Sequence, residues 1–331
     1  MLRIVYAGCP DISARVLRAL SKDNSFEIVG VLTNPPSAKG RHKKRVPTPV
    51  AQLAEELDIL VISPEHLTLE VREKITALNP DLLVCFSYGK IFGPKFLALF
   101  PKGGVNVHPS LLPRWRGCAP VSAAILAQNS ETGISVQRVA QKMDTGDILM
   151  QKRIPLDGTE TTASFLESIV EQCGKMLLKV LKQIDSGSEK GVVQNEEQAS
   201  YSSLLKKEDG CIDWSKSAAE VSAKIRAYNP WPGAFTCAGG DMLRIHYAEV
   251  FKGVASDVCA VSKHAVSENA VPGTVICADR KNGILIQCGS GIVCAKKLQW
   301  HTKKAMDWKN FLNGARNFAG TCCYVDKEGK K

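Results

Sequence analysis

The 331-residue chain has no Cys-x-x-Cys pair, no Gly-x-Gly-x-x-Gly, no internal repeat and no low-complexity tract. Its 12 cysteines are scattered, with Cys322 and Cys323 simply adjacent. The ligand spacing of a structural zinc site is therefore missing, and no metal is expected. The thiols read instead as small buried hydrophobes in a reducing compartment. No apolar run reaches the roughly 18 to 20 residues that cross a bilayer, which argues for a soluble protein with no membrane partner. "LRIVYAG" follows the first methionine directly, and neither a secretory n-region and h-region nor an acidic-poor Arg/Ser presequence is expected before it. Without the glycine fingerprint, a dinucleotide cofactor has little support.

What is present is a globular composition, 44% hydrophobic and 23% charged. At this length two domains are expected. Short β-branched runs ("RIVYA", "EIVGVL", "DILVI", "DLLVCF", "GGVNVH") alternate with helix-like apolar spacing at Ser13–Ser21 and Val50–Leu57. This predicts a Rossmann-like, mostly parallel α/β sheet with helices on both faces, carrying ligands at the carboxyl ends of its strands. A long helical pattern over Thr162–Ile184 ends it. A polar Gly/Ser/Glu-rich stretch, "DSGSEKGVVQNEEQASYSSLLKKEDG", then reads as a connection. Beyond it, after a helix near Ser217–Ala227, short strands "MLRIHYAEV", "GTVICA", "GILIQC" and "GIVCAKKL" alternate with Gly-containing turns and suggest a smaller, OB-like β-barrel. The expected boundaries are 1–189 for the catalytic domain, 190–208 for the linker and 209–331 for the barrel.

The stretch "NVHPSLLPRWRG" carries the first chemistry. In a strand, alternate residues share a face at about 6.6 Å for two steps, so Asn106 and His108 point the same way. Pro109 restricts His108 to extended backbone, which makes it the last residue of the strand. "QKMDTGDIL" later places Asp144 and Asp147 around a glycine turn. Spacing alone leaves Asp144 open, as a third member of the site or as a turn former bonded to its own backbone.

"NVHPSLLPRWRG" followed by "DTGD" resembles the formyltetrahydrofolate-dependent formyltransferases, whose motif is Asn-x-His, a Ser-Leu-Leu-Pro-x-x-Arg-Gly loop and a later aspartate. "YAGCPDIS", "NPPSAKGRHKKRVPTPV", "SYGKIFGP", "RGCAPV", "IRAYNPWPGAF" and "KKAM" extend the resemblance over nearly the whole chain, toward the branch acting on methionyl initiator tRNA. The resemblance implies 10-formyltetrahydrofolate as co-substrate and Asn106, His108 and Asp144 as the catalytic group. Asn106 and His108 would act as oxyanion donors, with Asp144 orienting the histidine and helping to take the amine proton through a water. It implies folate contacts at Phe86, Ser87, Tyr88 and Gly89, where the pterin would be held mainly by backbone. Further folate contacts are implied at Ser110, Leu111, Leu112, Pro113, Arg116 and Gly117, with a cis Leu112–Pro113 bond.

The net charge is +10, from 43 basic and 33 acidic residues. A charge run is usually a solvated face, but Lys39, Arg41, Lys43, Lys44 and Arg45 follow the second strand, on the rim that carries His108. From Lys207 onward there are 18 basic and 12 acidic residues, net +6. The resemblance implies that the basic loop meets the tRNA acceptor end. Lys206, Lys207, Lys296, Lys297, Lys303 and Lys304 are further candidate phosphate contacts. Cys9, Ile12, Pro109 and Ser122 depart from the family pattern around the expected methionyl site. The competing readings are a formyltransferase for glycinamide ribonucleotide or for a nucleotide-linked amino sugar, and an inactive RNA-binding protein on the same scaffold. A purine enzyme would need neither the barrel nor "GRHKKR", and the intact Asn106, His108 and Asp144 speak against an inactive scaffold. A monomer in the bacterial cytosol is expected.

Overall fold

The alternation of strand runs and helical spacing is realised as a seven-stranded sheet in the first of two compact units. The computed structural model describes residues 1–39, 44–253, 270–279, 283–315 and 318–324. The first unit comprises Met1–Val121, Glu131–Pro155 and Phe165–Ser203; the second comprises Ser122–Ser130, Leu156–Ser164 and Leu204–Lys331. In chain order the elements of the amino-terminal half are β1 (Leu2–Gly8), α1 (Asp11–Leu20), β2 (Phe26–Leu32), β3 (Ser37–Lys39), β4 (Lys44–Val46), α2 (Pro49–Glu56), β5 (Val61–Ile62), α3 (Leu69–Ala77), β6 (Leu82–Phe86), α4 (Pro94–Leu97) and β7 (Gly104–His108). They are followed by β8 (Arg116–Gly117), α5 (Pro120–Leu126), β9 (Glu131–Arg138), β10 (Ile148–Pro155), α6 (Thr162–Ser186) and β11 (Tyr201–Ser202).

The sheet order is β10-β9-β7-β6-β1-β2-β5. β7, β6, β1, β2 and β5 run parallel, while β9 and β10 close one edge antiparallel. β1 and β6 are buried almost throughout, as strands covered on both faces must be. α1 buries Ser13, Val16, Leu17 and Leu20, one face at helical spacing. Burying Leu17 completely is worth roughly 1.5–3 kcal/mol. α2 starts where Thr48 Oγ1 accepts from Ala51 N at 3.1 Å and Pro49 supplies a preset φ at the first helical position.

The second unit adds α7 (Ala218–Ala227), β12 (Ala234–Ala238), β13 (Asp241–Val250), β14 (Val275–Asp279), β15 (Gly283–Gln287), β16 (Ile292–Trp300), β17 (Met306–Asp307), α8 (Trp308–Gly314) and β18 (Cys323–Tyr324). Its antiparallel sheet, ordered β14-β15-β16-β13-β12-β18, curls until Thr274 bridges Cys322. Inside the curl lie Ile225, Leu243, Ile245, Ile286, Val293 and Leu298. Trp300 and Phe311 stack at one side and Phe318 meets both edge-on, with ring centroids 5.2–5.8 Å apart. A capping box between Ser217 and Glu220 starts α7.

Three expectations are corrected. Of "DILVI" only Val61–Ile62 is strand. "ETGISVQR", not foreseen as a strand, is β9. The polar stretch after α6 is no slack connection over 192–203: Val192 bridges Ile148 and β11 pairs with β8. It forms a strap on the first unit. Leu112–Pro113 is cis as expected, and so are Asn229–Pro230 and Trp231–Pro232. Among the described residues no helix is long and apolar enough to cross a membrane.

Candidate active site

The chain lays down β1, β2 and β5 in one direction across the sheet and then returns to add β6 and β7 on the other side of β1. The carboxyl ends of β1 and β6 therefore flank a crevice, the place where an open α/β sheet takes a ligand. Gly8 ends β1, and a Cβ there would lie 1.9 Å from Ser13 Oγ, so only glycine lets Ser13 Oγ donate to Phe86 O at 2.7 Å. After β6 the backbone turns through Ser87 (φ 55) and Gly89 (φ 82), both exposed, with Tyr88 buried between them and stacked on Phe92. Asn34, beyond β2, donates from Nδ2 to Tyr88 O at 3.3 Å. Asn34 Oδ1 and the Tyr88 hydroxyl are buried and have no hydrogen-bond partner. It is the exposed backbone at Ser87 and Gly89 that a heterocycle edged with donors and acceptors would meet, and the residues present fit a pterin.

β7 presents Asn106 and His108 on one face, and both turn to Asp144. Asn106 Nδ2 donates to Asp144 Oδ1 at 3.3 Å, and His108 Nδ1 lies 3.6 Å from Oδ2. The side chains of His108 and Asp144 are 5% and 9% exposed, so they face each other with little water between. Two further donors hold the carboxylate: Gly117 N on Oδ2 and Gln137 Nε2 on Oδ1, each at 2.8 Å. Asp144 itself adopts φ 56 in the turn, with its carboxylate turned inward to these partners. His108 Nε2 is 2.8 Å from Trp115 O. A carbonyl only accepts, so Nε2 carries a hydrogen, and the ring is fixed with Nδ1 facing the Asp144 carboxylate.

The loop after β7 is held from two sides. From β9, Ser135 Oγ donates to Ser110 O and accepts from Leu112 N; from β10, Gln151 Nε2 donates to Leu112 O. From the strap, Ser200 Oγ accepts from Trp115 N at 2.9 Å and Ser200 O accepts from Arg116 N at 2.8 Å. Ser110 is fully buried, its hydroxyl bonded to Arg114 O, and Leu111 and Leu112 are buried as well. Arg116 is also fully buried. Its guanidinium forms a fork on the Glu196 carboxylate at 2.7 and 2.8 Å and also reaches Gln194 and Tyr201. That pairing holds the Glu196 carboxyl below its ordinary range and the Arg116 guanidinium above its own. Arg116 thus shapes the loop from behind.

The formyl transferase family model matches residues 2–181, and the formyl transferase C-terminal domain model matches 204–316. The methionyl-tRNA formyltransferase of Treponema denticola is 44% identical over 325 residues, 96% of this chain and 98% of that protein. That of Marinobacter nauticus is 37% identical over 95% of this chain and 97% of its own length. The chain belongs to the methionyl-tRNA formyltransferase family. Solved structures share its fold at lower identity. WlaRD, a sugar 3N-formyl transferase with dTDP and 5-N-formyl-THF, has a TM-score of 0.65 at 20% identity, covering 92% of this chain and 99% of that one. HypX from Aquifex aeolicus in complex with tetrahydrofolic acid has a TM-score of 0.65 at 16% identity and covers all of this chain, which spans 50% of HypX.

For a family member, the basic candidates fall in three places. Lys44 and Arg45 are exposed on β4, which pairs with β3 in a hairpin that includes Lys39; Arg41 and Lys43 lie outside the described residues. Lys206 and Lys207 are exposed at a single 3₁₀ turn over Lys207–Gly210. Lys297, Lys303 and Lys304 are exposed on the second unit, whereas Lys296 is half-buried with Nζ 4.7 Å over the Trp308 ring. Among the described residues, no group of three or more His, Cys, Asp or Glu side chains is arranged to hold a metal ion. The residues that sequence reasoning missed are Ser135, Gln137, Gln151, Gln194 and Ser200. Polar residues at alternate positions of an otherwise apolar run, Ser135 and Gln137 in "GISVQRV", are a signal that could have found two of them.

Proposed function

We propose that this protein transfers the formyl group of 10-formyltetrahydrofolate to the α-amino group of methionyl initiator tRNA, giving formylmethionyl-tRNA for translation initiation in the cytosol. The convergence of Asn106 and His108 on Asp144 at the carboxyl edge of the sheet, in a chain of this family, carries the reading. In the transfer the methionyl nitrogen attacks the formyl carbon, a C–N bond to the methionyl group forms, the bond to folate N10 breaks, and the amine loses a proton. Asn106 Nδ2 has a second hydrogen beyond the one given to Asp144, and it is the donor for the formyl oxygen as charge builds there. His108, bonded to Trp115 O and facing Asp144, places its ring beside that oxygen; its Nε2 hydrogen is already engaged, which leaves the Asn106 amide as the free donor.

Asp144 accepts three hydrogen bonds and faces His108 with the rest of its capacity. A carboxylate has about four acceptor positions, so this one orients its neighbours and leaves the amine proton to a water. The crevice between β1 and β6, with the Ser87–Gly89 turn, Asn34 and Tyr88, takes the pterin, and the loop over Ser110–Gly117 lines it. The exposed lysines and arginines neutralise tRNA phosphates. Incubating the protein with 10-formyltetrahydrofolate and charged methionyl-tRNA, initiator and elongator separately, tests the reading. Formylation confined to the initiator is expected. No product from either, with formylation of an amino sugar nucleotide or glycinamide ribonucleotide instead, would transfer the chain to one of those substrates.

A further inference from the structure

Behind Asp144 lies a run of buried polar side chains that the reaction itself does not use. Arg116, Gln194 and Gln137 are 0%, 6% and 1% exposed. Arg116 Nε donates to Gln194 Oε1 at 3.1 Å, Gln194 Nε2 donates to Gln137 Oε1 at 3.2 Å, and Gln137 Nε2 donates to Asp144 Oδ1 at 2.8 Å. A guanidinium can only donate and an ionised carboxylate can only accept. Between these ends the two amides have one orientation that satisfies every bond, oxygen toward Arg116 and nitrogen toward Asp144. Gln194 Nε2 also lies 2.9 Å from Asp144 O and 2.6 Å from Gly146 O, and its two hydrogens are shared among these carbonyls and Gln137 Oε1, so one amide holds both the carboxylate's support and the turn that presents it. Arg116 is anchored in turn by Glu196 and Tyr201 on the strap.

We propose that Gln194 is a positioning residue for formyl transfer, fixing the Asp144 carboxylate on Asn106 and His108 through Gln137 and through the backbone of Asp144 and Gly146. The strap over 192–203 thereby sets the geometry of the catalytic group from the side away from substrate. This inference rests on the reading of Asp144 as the partner of His108 in the reaction. Gln194→Glu keeps the shape of the side chain and an acceptor for Arg116 but turns its second oxygen onto three other acceptors, Gln137 Oε1, Asp144 O and Gly146 O. Gln194→Met keeps the length and gives up every bond. Gln137→Met cuts the relay without touching the strap.

Each variant of the full chain is assayed for methionyl-tRNA formylation under steady-state conditions, alone and combined with Asp144→Asn, with circular dichroism to establish that it is folded at the assay temperature. A misplacement near 1 Å can cost up to about 10²-fold, and a loss of that order in kcat is expected for Gln194→Glu, with KM for both substrates little changed. A smaller loss in kcat is expected for Gln137→Met. In the Asp144→Asn background, adding either Gln194 variant changes kcat by less than about twofold, because a residue acting through Asp144 has nothing left to position. Full additivity of the losses, or wild-type kcat in all three single variants, would overturn the inference. Wild-type activity of Asp144→Asn alone would overturn the reading of Asp144 instead.

Discussion

Asn106 and His108 work from adjacent positions on one strand face, but their surroundings differ. Asn106 sits opposite Gln137 across the β7–β9 pair, and both amides reach the same oxygen of Asp144. Removing the Asn106 amide takes away a donor without disturbing His108, whose ring is held by Trp115 O and Asp144. Asn106→Ala is expected to lower kcat for formylation by about 10² to 10³ with an unchanged circular dichroism spectrum and melting profile; turnover near that of the wild type would remove Asn106 from the catalytic group. Gly117 is constrained differently. At φ 107, and with a Cβ that would fall 2.2 Å from Ser202 O, it admits no side chain, and its N–H is one of the bonds on Asp144. Gly117→Ala should therefore cost at least about 1 kcal/mol of stability, read from the urea midpoint, and lower kcat as well. Loss of only one of the two would separate the strap's packing from its hold on the carboxylate.

At the scale of elements, the strap turns a polar stretch into part of the site. Its Glu196 carboxyl is held below the ordinary 4.5 by the Arg116 guanidinium. A carboxyl depressed on folding contributes stability that is present above its unfolded value and is lost as pH falls through its lower folded value. The protection of the amides of Trp115, Arg116 and Cys118, whose N–H groups bond to Ser200 and Ser202, should thus fall relative to intrinsic exchange as pH drops below the ordinary carboxylate range, before β1 and β6 lose protection. Simultaneous loss across the sheet would show that the strap does not open by itself. β1, β2 and β6 were legible in the sequence because buried parallel strands read as mostly apolar runs, β7 because its valines alternate with Asn106 and His108, and α1, α2 and α6 because their buried faces recur at helical spacing. His108 at the strand end was legible through Pro109. The strap was not, because its bonds are made by backbone and by Gln, Glu and Ser side chains to residues about 80 positions away, and such partners leave no local pattern. Arg116 was expected at the folate for the same reason: the motif reports that an arginine is needed in the loop, and only the three-dimensional arrangement reports that Glu196 takes its guanidinium.

For the whole molecule the distribution of charge matters more than its sum. The exposed basic candidates are spread over both units: Lys44 and Arg45 on a hairpin of the first, Lys206, Lys207, Lys297, Lys303 and Lys304 on the second. None of these lysines and arginines is needed to fill a core, so their substitution is expected to leave melting temperature within a degree or two of the wild type. Contacts of this kind with phosphate release counterions, and log K for tRNA should fall linearly with log salt, with a slope of roughly 0.7 to 0.9 for each phosphate neutralised. Because the hairpin contributes two adjacent charges, Lys44→Ala with Arg45→Ala should flatten that slope by about 1 to 2. It should also weaken initiator and elongator tRNA alike, since phosphate contacts carry no sequence information. Filter binding over a salt series measures both quantities. A slope equal to that of the wild type would place the hairpin outside the tRNA contact. A loss confined to the initiator would mean that Lys44 or Arg45 reads a feature of the acceptor end other than its phosphates.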